Sequence, residues 1–113
     1  MQDLLAIFAD VADEDDAEYA ATSRAFVRAL RDAGAFIDAR GLHPAATATT
    51  LRVRGGQRQV EDGPAQPAAL GAWVVLEAAS AHEALEWAAR CPAAARGTIE
   101  VRPIIETAAT ERT

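Results

Sequence analysis

Apolar and polar residues follow two different spacings along the first forty residues and predict a strand, a helix and a second strand. Leu4 to Ala9 is a short, continuously apolar run, which is typical of a strand covered on both faces. Acidic residues at Asp13 to Asp16 favour a helix start, and apolar residues recur at helical spacing from Tyr19 to Leu30 until Gly34. Ala35 to Arg40 then predicts the next strand.

The middle of the chain predicts a hairpin. From Thr50 to Arg54 polar and apolar residues alternate, so that one face is apolar and the other is cationic. Gly55 and Gly56 follow, and paired glycines readily take the positive φ angles of a tight hairpin turn. The returning strand ends at Asp62-Gly63-Pro64, because Pro64 and Pro67 cannot both belong to a central strand.

The last third predicts a strand, a helix and a strand. Gly71 to Ala78 is apolar on both faces, Ser80 to Glu83 has the spacing of a capping box before a helix through Arg90, and Thr98 to Ile104 supplies the final strand. This order predicts an α+β, ferredoxin-like repeat of two β-α-β units in one domain, residues 1–113. Two helices can cover only one face of an antiparallel sheet. We therefore expect the other apolar face to meet a second subunit in a homodimer.

Composition narrows the functional classes. All eleven basic residues are arginines and the net charge is −6, which disfavours nucleic acid and anionic membranes as partners. No stretch approaches the roughly 18 apolar residues of a membrane helix, and no basic-then-apolar leader precedes the first strand, so we expect a cytoplasmic protein. The absence of lysine excludes Schiff-base chemistry.

Three segments together resemble a known family: Val60 to Pro64, Leu85 to Pro92 and Ile99 to Ile104. With them the chain resembles the YCII-related proteins, specifically the DGPF-domain branch, over nearly its whole length. The resemblance implies a ferredoxin-like fold whose sheets associate into a dimeric α-β barrel. It also implies a regulatory association, because such relatives are often encoded near alternative sigma factors. The family motif normally continues with phenylalanine, whereas this chain has Ala65.

Asp62 and His43 are the candidate catalytic residues. A rigid turn holds Asp62 at a predicted pocket mouth, although an aspartate there also caps turns. His43 lies in a loop, and a histidine titrates near neutrality; the alternative is a solvent-exposed side chain. Better-studied relatives are thought to pair an aspartate with a histidine on the first helix. Residues 18–33 contain no histidine, so that pair does not carry over, although Asp32 and Asp38 are further candidate carboxylates.

Arg40, Arg52 and Arg54 are the candidate ligand-binding residues, because guanidinium groups offer paired donors to a carboxylate or phosphate. Alternation places only Arg52 and Arg54 on one face, and a solvated hairpin face is the alternative interpretation. His82 to Glu86 superficially matches a zinc-protease helix, but Glu86 stands where the second histidine is needed. We therefore predict no metal and no cofactor.

Two hypotheses for function follow from these residues. The favoured one is a noncatalytic dimeric module that binds a small ligand or a regulatory protein partner, because the family's helix histidine is absent. The alternative is a small-molecule lyase or hydrolase-like enzyme that uses acid–base chemistry at a pocket near Asp62 and His43.

Overall fold

The computed structural model describes residues 1–9, 16–65 and 70–106. Two short 3-10 turns, Ala45–Thr47 and Pro92–Ala95, lie between its larger elements. The strands and helices of this part of the chain are, in order, β1 (Gln2–Phe8), α1 (Ala17–Asp32), β2 (Phe36–Gly41), β3 (Thr49–Arg54), β4 (Gln57–Asp62), β5 (Ala72–Glu77), α2 (Ala81–Arg90) and β6 (Thr98–Pro103).

Four of these strands form an antiparallel sheet in the order β2-β5-β1-β6, and β3 and β4 form a separate two-stranded sheet. The larger sheet with its two helices confirms the predicted α+β, ferredoxin-like fold. Most predicted boundaries agree within one or two residues. The start of the first strand differs from the prediction. The strand begins at Gln2 rather than Leu4 and therefore includes the polar residue Asp3.

Both helices begin at a capping side chain. The Asp16 carboxylate accepts a hydrogen bond from the backbone N–H of Tyr19 at 2.8 Å, and the Ser80 hydroxyl accepts one from the backbone N–H of Glu83 at 3.1 Å. The other predicted acidic residues of the first cap, at positions 13–15, lie outside the described residues. α1 ends before Gly34, whose φ of 71° favours glycine, as the sequence predicted.

The helices pack on one face of the four-stranded sheet. That face carries alternate residues of the central strands, and the ring of Phe26 from α1 meets the ring of Trp87 from α2 edge-on at 6.3 Å between centroids. Cys91 is buried just beyond α2, as a small apolar residue would be. The shared core contains Leu5, Ile7, Tyr19, Phe26, Leu30, Val74, Leu76, Ala84, Trp87 and Ala88.

The opposite face of the sheet, here called the outer face, is apolar along its centre. Leu4 of β1 lies opposite Val75 of β5, and Ala6 lies opposite Trp73. Charged residues flank this strip on the two edge strands. On β2, Arg40 lies opposite Trp73. On β6, charged residues lie opposite the outer-face residues of β1. The sequence predicted that Gly71 to Ala78 is apolar on both faces, and the alternating register confirms it.

The β3–β4 hairpin turns at Gly55 and Gly56, whose φ angles of 58° and 77° suit a type I′ turn. Its predicted alternation is confirmed, but its apolar face is not covered. Leu51, Val53 and Val60 are 56%, 54% and 62% exposed. The hairpin therefore stands apart from the core that the helices and the larger sheet share.

Candidate functional site

A cavity of about 500 Å³ lies where the hairpin joins the larger sheet. One wall is Phe8, which projects from the end of β1 on the outer face. The other walls come from the loop after β2, the base of β3 and the segment after β4. The lining residues are Phe8, Leu42, His43, Pro44, Ala45, Thr47, Ala48, Thr50, Pro64, Ala65 and Leu70.

Short hydrogen bonds fix the walls of this cavity. The Thr50 hydroxyl donates to the backbone oxygen of Gly63 at 2.7 Å, and the Gly63 N–H donates to the backbone oxygen of Ala48 at 2.8 Å. The Thr47 hydroxyl donates to the backbone oxygen of Pro44, also at 2.7 Å. Both hydroxyl protons are therefore used within the protein, and the free lone pairs of the two oxygens can accept hydrogen bonds from a ligand.

Gly63 is the residue that shapes the turn after β4. Its φ of 102° lies in a region that side chains with a Cβ rarely adopt, and no atom lies within 4 Å of a Cβ built there. The glycine is therefore required by backbone conformation and not by lack of space. This requirement gives the Asp-Gly-Pro motif a structural role at the wall of the cavity.

His43 is the one titratable side chain among the described residues that line the cavity. It is exposed, so it faces the open side of the space. The other described side chains of the lining are apolar apart from the two threonine hydroxyls. The site can thus enclose an apolar group and offer one imidazole and two hydroxyl oxygens to its polar end.

Asp62 is at the end of β4, opposite Thr49, and its exposed side chain lies on the hairpin face that does not line the cavity. The structure therefore places His43 in the lining and Asp62 outside it. Within the described residues no hydrogen bond to the Asp62 carboxylate is present. The turn is held by the backbone of Gly63 instead, which differs from the capping role that the sequence suggested for Asp62.

The three candidate arginines lie in two places. Arg52 and Arg54 share the β3 face of Thr50, and Arg52 is half-buried with Nη1 3.6 Å from a carboxylate oxygen of Glu61. Arg40 lies on the outer face of the larger sheet, where its Nη1 is 3.1 Å from a carboxylate oxygen of Asp38. None of the three is among the described lining residues of the cavity, but the hairpin pair shares the strand face of Thr50, which is one of them.

Sequence reasoning missed two polar features elsewhere in the fold. Asp3 is only 1% exposed, and its Oδ2 has no hydrogen-bond partner among the residues that the structure describes. Burial raises the pKa of this carboxyl. The guanidinium of Arg96 pairs with Asp16, lowering the pKa of that carboxyl, and lies 3.9 Å from the ring centroid of Tyr19. Asp3 was not predicted to be a strand residue, because the predicted first strand begins one residue after it.

A second cavity, of about 290 Å³, lies between α1 and the larger sheet. Its lining includes core residues such as Phe26 and Val74, together with Tyr19 and Cys91. Burial raises the pKa of the Cys91 thiol, which keeps it protonated and unreactive. The described residues that line this cavity include no Asp, Glu or His.

No cluster of three or more metal-ligating side chains occurs among residues 1–9, 16–65 and 70–106. His82 and Glu86 lie one helical turn apart on the exposed side of α2, with Nε2 and Oε1 3.5 Å apart. Neither helix in the described part of the chain is long and apolar enough to cross a membrane.

The family model of the YCII-related domain matches residues 4–108. The chain belongs to the YCII-related family. A comparison with curated proteins gives no significant match. The fold of the chain is consistent with this family.

Proposed function

We propose that this YCII-related protein is a dimeric, noncatalytic module that binds a small molecule in the cavity at the base of the hairpin. One observation carries the proposal. Among the described residues, those that line the cavity are mostly apolar and include one titratable group, His43, while the candidate carboxylate Asp62 is not one of them. Acid–base catalysis by a paired histidine and aspartate would need both groups within reach of one substrate, and of these two candidates His43 alone lines the space.

The chemistry of the walls indicates the class of ligand. An apolar body would contact Phe8 and Leu70, and donors at its polar end would meet the oxygens of Thr47 and Thr50. An anionic group at the mouth would reach Arg52, which shares the face of Thr50 and forms a long ion pair, 3.6 Å, with Glu61. Arg54 extends the same positive face outward, and Arg40 belongs to the outer sheet surface.

The homodimer in this proposal uses the outer face of the four-stranded sheet. Leu4, Trp73 and Val75 form an apolar strip there, flanked by charged edge strands, as in an interface with an apolar centre and a polar rim. Both helices lie on the other face, so within the described residues no helix covers this strip. A second copy would cover it and form the α-β barrel that the family resemblance implies.

The finer family assignment rests on the sequence motif. Asp62-Gly63-Pro64 and the conformational need for Gly63 support the DGPF-domain branch, with residues 1–113 forming one domain. A cytoplasmic location and a regulatory association with an alternative sigma factor, both argued from the sequence and the resemblance, belong to the same proposal.

Native mass spectrometry against a library of small metabolites tests the binding site. A ligand should bind the wild-type protein and be lost in Ala48→Trp, because the indole would fill the cavity. Ala46→Trp is the matched control, since Ala46 is exposed and does not line the cavity. Equal binding by both variants would place the ligand elsewhere and overturn the proposed site.

The alternative function is a small-molecule lyase or hydrolase-like enzyme. His43 favours it, because an imidazole at the open side of an apolar cavity can exchange a proton with a bound substrate. Asp62 would then have to act from outside the lining. Turnover of a library compound that disappears in both His43→Gln and Asp62→Asn would establish this alternative.

A further inference from the structure

The β3–β4 hairpin carries an exposed face whose residues are complementary to themselves. On this face Thr49, Leu51 and Val53 of β3 lie opposite Asp62, Val60 and Arg58 of β4. We call these six residues the hairpin face. Its three apolar side chains are each more than half exposed. In the described part of the chain no other strand pairs with the hairpin, and an isolated two-stranded hairpin is only marginally stable in water.

We infer that the hairpin face packs against the same face of a second copy of this chain. The order of residues along β4 carries the inference, because it reads cation, apolar, anion at Arg58, Val60 and Asp62. A two-fold axis that runs across the hairpin at the Leu51–Val60 pair places Val60 over Val60 and Leu51 over Leu51. The same axis places Arg58 over Asp62 of the partner subunit.

The two remaining residues of the hairpin face, both on β3, then also meet compatible side chains. Val53 faces Thr49 of the partner subunit, and its methyl groups contact the threonine methyl. Contacts made by one patch on both subunits are the rule for two-fold dimers. Arg58 and Asp62 stand four residues apart on their own strand, about 13 Å at the rise of a strand, so they do not pair within one chain.

The charges of the hairpin face favour the same occupant. The face carries one cation, Arg58, and one anion, Asp62, so its net charge is zero. A partner of uniform charge, such as a nucleic acid, would gain one favourable contact and suffer one unfavourable contact there, whereas a second copy related by the two-fold axis matches both charges.

The predicted contact is small. A strand of six residues is about 20 Å long, and two strands are about 10 Å wide, well below the roughly 800 Å² that each partner contributes to a stable interface. We therefore expect a weak contact that adds to another interface. It does not depend on the sheet-face dimer proposed above, and covalent trapping is the suitable test.

The trapping experiment uses single cysteines introduced on the hairpin, with the native Cys91 buried. With a thiol crosslinker of about 10 Å reach, Val60→Cys and Leu51→Cys should form covalent dimers at least about tenfold faster than Gln59→Cys, since packed sheets lie about 10 Å apart and held thiols react faster than diffusing ones. Gln59 is the matched control because it is exposed on the other face of β4.

Charge reversal tests the register. In the Val60→Cys protein, either Arg58→Asp or Asp62→Arg should slow crosslinking by about tenfold, because each places like charges opposite one another, and the two changes together should restore the rate. Equal rates for the three cysteine variants overturn the inference. So does a direct disulfide in Val60→Cys without crosslinking in Leu51→Cys, since that result indicates edge-to-edge pairing of β4.

Sedimentation of the same proteins separates this inference from the proposed function. Loss of preferential crosslinking in a protein that remains dimeric removes the hairpin contact alone. Preferential crosslinking in a protein that sediments as a monomer at low concentration supports the hairpin contact and removes the sheet-face dimer.

Discussion

The four-stranded sheet and the β3–β4 hairpin each have a face lined by apolar side chains, but these two faces have opposite environments. Leu5 in β1 is fully buried under the helices, whereas Leu51 in β3 is 56% exposed. Each leucine lies opposite a valine of the neighbouring strand, Val74 for Leu5 and Val60 for Leu51. Alternation therefore determines which side chains share a face, but the rest of the chain determines whether anything covers that face.

The largest difference between the two regions should appear in stability. Leu76→Ala removes a fully buried side chain and should lower the free energy of unfolding by about 2 to 5 kcal/mol. Leu51→Ala should lower it by less than about 1 kcal/mol, because most of the side chain is already in water. Urea denaturation measures both, and similar losses would show that the hairpin is covered in solution.

The outer face of the sheet should respond through association. Val75→Asp places a carboxylate in the proposed interface, and burying a charge without a partner should weaken the dimer by at least about 100-fold. Sedimentation equilibrium measures the change. The matched control is Leu85→Asp, on the exposed side of α2, which should leave the dimer intact. An unchanged Val75→Asp dimer would place the interface elsewhere.

The turn at the cavity wall should show a smaller effect. Gly63→Ala forces a side chain onto a backbone with φ of 102° and should cost about 1 to 3 kcal/mol. Gly41→Ala is the control, because Gly41 has no positive φ and equal space around it, and its effect should stay within about 1 kcal/mol. Thermal or urea unfolding measures both variants. Equal losses would contradict a conformational role for Gly63.

The smallest expected effects are on pH dependence and have opposite signs. Burial raises the pKa of Asp3 above its ordinary 3.8, so between the two values the folded state holds more protons and stability falls as pH rises. Asp3→Asn should remove that decline. Arg96 lowers the pKa of Asp16, so its stabilisation is present above 3.8 and is lost as pH falls through the lower folded value.

Urea titrations of wild type, Asp3→Asn and Asp16→Asn across this pH range isolate the two contributions. The wild-type minus Asp3→Asn difference should become less favourable to wild type as pH rises through the window above 3.8. The wild-type minus Asp16→Asn difference should move the other way below 3.8. The same sign in both differences would contradict the assigned causes.

The sequence predicted the fold well because local signals and register agree. Glycine and capping residues mark the ends of α1 and α2, and the two-sided apolar strand β5 lies at the centre of the sheet beside β1. The site was predictable only in part. The sequence placed His43 in a loop. Which loops meet at Phe8 depends on how the hairpin joins the sheet, and the spacing of residues along the chain does not determine which loops come close together.

The central claim is that the cavity holds a ligand without converting it. Its most direct test is mass spectrometry of the ligand recovered after prolonged incubation with a stoichiometric amount of protein. We expect the compound to be recovered unchanged, with the same occupancy in Asp62→Asn as in wild type. A product of different mass, formed by wild type and absent with both Asp62→Asn and His43→Gln, would contradict the claim.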